Sequence, residues 1–380
     1  MGSDLKGIAI LGSTGSIGCQ TLEVIRCFPQ HFSVVGLGGW RNLTLLQKQV
    51  EEFHPALVSH QKMDHGFAPP GFGGSTLVTM EEMVSDPRVH LVVMAVAGPA
   101  GLLPTLQALR SRKQVALASK EALVMGGQLI TQEMDAGATI LPVDSEASAI
   151  WQCLRGEDQE VARLIITASG GPFRQRPLSE LAGVTPEEAL NHPTWRMGKK
   201  ITVDSATLMN KAYEVIEAHC LFQTPWDKIH VALHPQSIVH SMVEFQDGTL
   251  KAQLAAPDMR IPLQYALFYP KRVQNPSLDH PLDMTRIGSL SFEPLEKQRY
   301  PCFDIALDAA RAGGTYPAAL CAADEVAVGL FLERKLGFTY IPTLVQKVVD
   351  EHHPGSASSL EDIMGADAWA RRRALELAKV

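Results

Sequence analysis

KGIAILGSTGSIG, residues 6–18, decides the fold class. Lys6 to Leu11 reads as a short buried strand, and Gly12, Gly15 and Gly18 punctuate the turn that follows it. Ile17 to Phe28 then carries its main apolar side chains at Ile17, Leu22, Val24, Ile25 and Phe28, the pattern of an amphipathic helix. Strand, glycine turn and helix make a phosphate cradle for a dinucleotide. The glycines let the backbone approach the pyrophosphate, and the helix N-terminus faces it. The spacing is G-x-x-G-x-x-G and not the commoner G-x-G-x-x-G, so a glycine turn without ligand stands as the alternative.

Further strands read near 32–37, 56–59, 91–96, 114–118 and 138–143, separated by helical or loop segments. The pattern predicts an α/β protein whose N-terminal part is a Rossmann-like doubly wound parallel sheet. Residues from about 145 to 279 mix strands and helices: Arg163 to Ala168 delivers Ser169-Gly170-Gly171 to a turn, and Ile229 to Phe245 reads as two strands interrupted at His234-Pro235. Residues 280–300, with Pro281 and Pro294, suit a linker, and from 301 onward the pattern is helical. The expected division is therefore 1–144, 145–279, a linker over 280–300, and 301–380, without internal repeats. Leu91 to Leu109 is uncharged for long enough to suggest a membrane span, but Gly98, Pro99, Gly101 and Pro104 break it into strand, turn and helix.

Composition fits this picture. Apolar content of 46% and charged content of 20% are those of a soluble globular protein. A formal charge of −7 argues against general nucleic-acid binding. It leaves room for a small anion near Arg196, Lys199, Lys200 and Lys211, with a solvated loop as the alternative for Lys199 and Lys200. Cys19, Cys27, Cys153, Cys220, Cys302 and Cys321 form no C-x-x-C pair and read as reduced packing residues of a cytosol-like compartment. No signal peptide is read before the first strand.

The end of the second strand bears on the cofactor. An NAD site would place an acid there for the ribose hydroxyls. This chain has Gly38-Gly39-Trp40-Arg41-Asn42 instead, and a guanidinium suits a 2′-phosphate, which favours NADPH. A solvated loop charge is the other reading of Arg41.

Two more stretches carry chemistry. In TILPVDSE, residues 139–146, strand alternation would send Asp144 and Glu146 to one face and Ser145 to the other. In NHPTWRMGKKITVDSATLMNKAYE, residues 191–214, a helix from Ser205 to Phe222 would gather Thr207, Asn210, Lys211 and Glu214 on one arc, with Ser205 at its N-terminus facing an anion. Joined by Glu214, Asp144 and Glu146 would make an oxygen site suited to Mg²⁺ or Mn²⁺, with Co²⁺ as a third option. Capping acids and a solvated polar face are the bland alternatives.

GSTGSIG, ALASKEALV, LPVDSEASAI, TASGGPF, NHPTWRMGKKITVDSATLMNKAYEVIEAH and HPQSIVHSMVEFQDG follow in this order along nearly the whole chain. They resemble the successive motifs of the 1-deoxy-D-xylulose 5-phosphate reductoisomerases. The resemblance implies rearrangement of that ketose phosphate to a branched aldehyde by retro-aldol cleavage and re-addition, then reduction with NADPH. The product would be 2-C-methyl-D-erythritol 4-phosphate of the non-mevalonate isoprenoid pathway. It implies a V-shaped subunit with a C-terminal helical domain, in a homodimer of the bacterial cytoplasm or of a plastid-type organelle.

By the same resemblance Asp144, Glu146 and Glu214 hold the metal, and Ser145 binds substrate hydroxyls. Ser169, Ser205, Asn210 and Lys211 hold the phosphate and nearby oxygens, with His192 and Trp195 beside the substrate. Lys120 contacts substrate, and Lys120, Asp144, Glu146, His192 and Glu214 form the catalytic set. Gly12, Thr14, Gly15, Ser16, Ile17, Gly39, Arg41 and Asn42 bind the cofactor, with Glu121 and Gly198 at its nicotinamide half. His234 shapes the pocket. Glu146 and a hydroxyl on the cation are the two candidates for proton acceptor.

Residues 191–201, with Pro193, Gly198, Trp195 and Met197, have the marks of a closing lid, and a static anchor at Trp195 is the alternative. Trp40 and Ser119 depart from the family pattern at the cofactor side; Trp40 either stacks on adenine or displaces the loop. Cys321 and Asp324 stand where Asn is expected, on a helix read as packing or dimer surface. Another NADPH-linked reductase of a small aldehyde, or a silent NADP(H)-binding sensor, are the competing functions. Neither needs the three carboxylates.

Overall fold

The computed structural model describes residues 5–60, 72–158, 160–278 and 281–378. The chain forms two compact units, one of Met1–Ala122, Ile130–Ser148 and Asp258–Pro281, the other of Leu123–Leu129, Ala149–Pro257 and Leu282–Val380.

The first unit is built on β1 (Lys6–Leu11), β2 (Phe32–Gly39), β3 (Leu57–His60), β4 (Thr76–Leu77), β5 (Leu91–Met94), β6 (Gln114–Leu117) and β7 (Thr139–Pro142). These pair in the order β4-β3-β2-β1-β5-β6-β7, parallel throughout. Ile8, Ile10, Leu11, Leu37, Leu91 and Met94 are fully buried, as expected when helices cover both faces and the strands become continuous apolar runs. The helices α1 (Ser16–Cys27), α2 (Leu43–Phe53), α3 (Met80–Ser85), α4 (Leu102–Arg110) and α5 (Lys120–Asp135) follow β1, β2, β4, β5 and β6. The chain leaves β1 toward β4 on one side and returns through β5 to β7 on the other. The strand order therefore reverses at β1, where ligands settle in open sheets of this kind.

The apolar run 91–109 divides into β5, a 3₁₀ turn at Pro99–Gly101 and α4, as its glycines and prolines predict. Among the described residues no helix is long and apolar enough to cross a membrane. The expected strands are all present, while β4 is a two-residue edge strand too short for any periodicity to reveal.

After β7 comes α6 (Ser145–Leu154). Ser148 N–H donates to the Asp144 carbonyl at 2.8 Å, so the chain is already turning into a helix at Asp144. Asp144 and Glu146 thus do not alternate along a strand, as the sequence pattern suggested. Both lie at the start of a helix, just beyond the carboxyl end of β7.

Residues 258–281 belong to the first unit and not with the residues that precede them. The helix Arg260–Phe268 sets Phe268 against Phe28 and Phe32, with ring centroids 4.7 and 4.8 Å apart in edge contact. Lys6 Nζ donates to the Leu267 carbonyl at 3.3 Å. Nothing in local composition marks this return. The domain boundary expected at 279–280 lies outside the described residues.

The second unit holds β8 (Val161–Ala168), β9 (Ile229–Leu233), β10 (Val239–Phe245), β11 (Leu250–Leu254) and β12 (Glu293–Pro294), in the order β11-β10-β8-β9-β12. β8 and β9 run parallel and the other pairs antiparallel. The stretch expected as a linker contributes β12, where Pro294 sits on an edge strand, the place a sheet tolerates proline.

The helices of this unit are α7 (Pro186–Ala189), α8 (Lys199–Thr207) and α9 (Met209–Phe222), then, with Arg260–Phe268 counted as α10, α11 (Met284–Ile287), α12 (Pro301–Ala312), α13 (Tyr316–Leu332), α14 (Ile341–Asp350) and α15 (Leu360–Leu377). Prolines in the first turns of α12, α13 and α14 preset the helical φ where no N–H partner is required. The single helix expected over Ser205 to Phe222 is two helices. Leu208, at φ +57°, adopts a left-handed conformation and divides α8 from α9.

Candidate functional site

In the first unit the turn after β1 is shaped by what glycine omits. Gly12 has φ +85°, and a Cβ there would lie 2.4 Å from the Ala95 carbonyl oxygen. A Cβ on Gly18 would meet the Gly12 oxygen at 2.3 Å and Ser13 Cα at 2.5 Å, so only glycine lets α1 pack this close to the turn. Gly12 and Ser13 N–H both donate to the Gly38 carbonyl, at 2.9 and 2.8 Å, which binds the turn to the end of β2. Gly15 is the N-cap of α1 and supplies no capping side chain, so the first-turn N–H groups of Ser16 and Ile17 are left to face an anion. A Cβ on Gly39 would stand 3.2 Å from Thr14 Cγ2, which places Gly39 beside the turn.

Asn42 is the N-cap of α2, and its Oδ1 accepts from Leu45 N–H at 3.0 Å. Trp40 and Arg41 are exposed on the loop before it.

At the carboxyl ends of β6 and β7 stand Lys120 and Asp144. Lys120 is 5% exposed, and its Nζ lies 3.1 Å from Asp144 Oδ1. Such burial of an ammonium requires a charged partner. The Ser145 hydroxyl donates to Glu146 Oε2. The Ser119 hydroxyl lies 3.4 Å from Glu121 Oε2. The shorter side chain at 119 therefore still finds a hydrogen-bond partner.

In the second unit His192 is a hub. Its Nδ1 accepts the backbone N–H groups of Thr194 and Trp195, at 3.1 and 2.9 Å. That leaves the proton of the neutral ring on Nε2, which lies 3.0 Å from Ser169 Oγ and 3.1 Å from Ser205 Oγ. Burial pushes the imidazole down to about 4, so it is neutral near pH 7. Ser169 follows β8, and its hydroxyl oxygen accepts from Gly171 N–H at 3.2 Å. A Cβ on Gly171, at φ +69°, would come within 2.6 Å of the Ser205 carbonyl oxygen. Glycine here is what allows the turn after β8 to approach α8.

The break at Leu208 relocates the predicted anion residues. Ser205 lies near the end of α8, not at a helix start, while Asn210 and Lys211 occupy the first turn of α9. Glu214 accepts from Asn210 Nδ2 at 2.6 Å and pairs with the Lys211 ammonium; Lys211 and Glu214 are both nearly inaccessible. Thr207 accepts from Met209 N–H at 3.3 Å, so its hydroxyl serves the break itself.

The Trp195 ring tilts against His240 at 6.0 Å, and Gly198 caps α8 through its carbonyl. His234 is fully buried; its Nδ1–H donates to the Ser291 carbonyl at 2.8 Å, and Nε2 accepts from Ile238 and Val239 N–H. It shapes the β9–β10 connection and is spoken for. Sequence reasoning named Lys200 and Asp324 singly and did not foresee that they converge with Asp204 within this unit. Lys200 lies in α8 and not in a loop, and Asp324 is fully buried, which fits the packing reading of its helix. The one signal was an aspartate, beside Glu325, on a largely apolar helix.

A glycine-turn dinucleotide cradle on a doubly wound sheet, with a separate unit carrying carboxylate, ammonium and hydroxyl groups, defines a nucleotide-linked α/β oxidoreductase. Family profiles described as 1-deoxy-D-xylulose 5-phosphate reductoisomerase match residues 8–127, and profiles of that enzyme's C-terminal domains match 140–222 and 254–373. The chain belongs to the 1-deoxy-D-xylulose 5-phosphate reductoisomerase family. It is 49% identical to the reductoisomerase of Thermomicrobium roseum, over 98% of this chain and 97% of that one. It is 48% identical to that of Chlorobium phaeobacteroides, over 97% and 98%. Among solved structures it resembles the Zymomonas mobilis enzyme in complex with NADPH, with a TM-score of 0.90 at 39% identity over 99% of this chain and 100% of that one. A reductoisomerase in complex with NADPH, fosmidomycin and magnesium matches with a TM-score of 0.91 at 37% identity, over 99% and 98%.

Proposed function

We propose that this chain carries out its family's reaction: NADPH- and divalent-metal-dependent isomerisation and reduction of 1-deoxy-D-xylulose 5-phosphate to 2-C-methyl-D-erythritol 4-phosphate, in the non-mevalonate pathway to isoprenoid precursors. The observation that carries the reading beyond family membership is the joint presence, in one unit, of the Ser169–His192–Ser205 hub and the Asn210–Lys211–Glu214 group.

We assign the cation to Asp144, Glu146 and Glu214, whose hard carboxylate oxygens suit Mg²⁺ or Mn²⁺. In support, Asp144 and Glu214 each already lie against a lysine ammonium, as carboxylates do where positive charge is wanted. A bound cation supplies Lewis-acid polarisation of a carbonyl, and NADPH supplies the hydride. The side chains do the rest. Ser169, Ser205, Asn210 and Lys211 bind the phosphate and adjacent oxygens, with His192 a neutral donor that orients the two serines. Lys120 and Ser145 orient the substrate's hydroxyl end, and Glu146, held by Ser145, accepts a hydroxyl proton. The turn of Gly12, Thr14, Gly15, Ser16 and Ile17 takes the cofactor pyrophosphate, Gly39 and Arg41 its adenosine phosphate, and Glu121 and Gly198 its nicotinamide half. Trp195 covers the site and excludes water.

In functional terms residues 1–144 serve the cofactor and contribute Lys120 and Asp144 to the chemistry, and 145–257 carry the rest of the chemistry. Residues 258–281 pack with the first unit, and 301–380 give helical support after a connection that supplies β12. The enzyme is read as a cytoplasmic homodimer, for which sedimentation equilibrium is the check. The decisive assay follows NADPH absorbance with 1-deoxy-D-xylulose 5-phosphate, first with Mg²⁺ or Mn²⁺ and then with EDTA. Oxidation abolished by EDTA supports the assignment. Chelator-insensitive oxidation of a small aldehyde would point to another reductase, and NADPH binding without turnover to a silent sensor.

A further inference from the structure

Asp324 takes no part in the site described above, yet its surroundings are unusual. α13 is apolar along most of its length, and at Asp324 it places a carboxylate with no solvent exposure inside the second unit. Asp324 Oδ2 lies 2.7 Å from Lys200 Nζ and accepts from the Tyr213 hydroxyl at 3.3 Å. The same ammonium lies 2.5 Å from Asp204 Oδ2, one turn further along α8, and 5.1 Å from the Tyr213 ring centroid. Asp324 Oδ1 is buried with no hydrogen-bond partner. Buried ion pairs seldom outperform apolar packing in stability, so a charge kept here calls for another reason.

The start of α8 supplies one. Its first two residues are Lys199 and Lys200, where the positive end of a helix repels cations. Gly198 gives it no capping side chain, and the first turn contains no acid. Left to local propensity this turn would fray. Lys200 escapes the repulsion by reaching inward to Asp204 on its own helix and to Asp324 on α13. The second contact joins α8 to α13, as the contact with the Tyr213 ring joins it to α9.

We propose that Asp324 is a positioning residue for the loop 191–198. Through Lys200 it fastens the first turn of α8 to α13 and fixes where the loop bearing His192 and Trp195 ends. The same tie keeps Ser205, the neighbour of Asp204, in hydrogen-bond reach of His192. This rests on the reading of 191–201 as a lid over the substrate, and it gives the C-terminal helices a part in substrate binding.

The test compares Asp324→Leu with Asp324→Asn, whose amide oxygen still accepts from Lys200. In Asp324→Leu, trypsin should cut after Arg196 and Lys199 about tenfold faster than in the wild type, with fragments identified by mass spectrometry. Its KM for the ketose phosphate should rise about tenfold while kcat stays within about twofold. Asp324→Asn should return both values to within about twofold of the wild type. Should Asp324→Leu fail to fold, Lys200→Met, at a partly exposed position, must show the same faster cleavage and raised KM. Unchanged cleavage and KM, a fall in kcat and thermal midpoint without a KM change, or an Asn variant that behaves like Leu would each overturn the proposal. Proteolysis reads the tie without substrate, so a wild-type chain that oxidises no NADPH would sink the functional reading and leave this test intact.

Discussion

Gly12 and Leu208 both turn the chain through a left-handed residue beside groups we assign to ligand binding, and they do it for opposite reasons. At Gly12, φ +85°, the neighbouring backbone leaves no room for a side chain. At Leu208, φ +57°, a full side chain is present and only 2% exposed. A left-handed leucine costs on the order of 1–2 kcal/mol, which its apolar burial offsets. The first turn is dictated by what is absent from one residue, the second by what surrounds it. A reader of sequence sees the former and not the latter.

The sharpest way to break the comparison is to fill the glycine turn. In Gly18→Ala the new Cβ would meet backbone atoms at 2.3 and 2.5 Å, and backbone cannot step aside as a flexible side chain can. We expect a loss of about 3 kcal/mol in urea denaturation, and NADPH affinity down by about a hundredfold or more in a fluorescence titration. Unchanged NADPH affinity would mean that this turn does not carry the pyrophosphate.

On the other side of the comparison, Trp195→Ala should lower kcat/KM by about a hundredfold while the thermal midpoint moves by only a few degrees. Equal losses in turnover and midpoint would make Trp195 a static anchor.

A smaller effect is expected from His192. Its imidazole is held at about 4, below the ordinary value near 6.5, because burial disfavours the charged ring. Between these values the unfolded chain binds the proton more readily. The stabilisation is therefore complete above pH 6.5 and is lost as pH falls toward 4. From pH 7 to pH 5 the wild-type midpoint should fall further than that of His192→Asn, by about 2 °C after allowance for partial exposure. Parallel curves would mean that the ring titrates normally.

What could be read in advance follows the same divide. The sheet was legible because each of its main strands is a local apolar run, and the glycine turn because residue type and backbone demand coincide. Family motifs gave the candidate residues. Geometry was less legible. Asp144 and Glu146 lie at the start of a helix because α6 begins at Ser145, directly after β7, and strand alternation stops there. Asn42 is a cap because α2 begins beside it, a role its residue type would equally have allowed. The pairing of Lys200 with Asp324 joins residues far apart in sequence, and no local pattern carries such information.

The finest test of the comparison lies at Leu208. Replacing it with Ala or with Gly removes nearly the same buried side chain, so the difference between the two variants isolates the backbone. Inside a continuous helix Ala would be more stable than Gly by about 1 kcal/mol. At a left-handed position the order reverses, because Ala retains the Cβ clash and Gly does not. We therefore expect Leu208→Gly to exceed Leu208→Ala by about 1 kcal/mol in urea denaturation, although both fall below the wild type. The opposite order would restore the unbroken helix from Ser205 to Phe222 that the sequence pattern suggested. Asn210, Lys211 and Glu214 would then share one arc with Ser205 at its head, and the first turn of α9 would lose its separate claim on the phosphate.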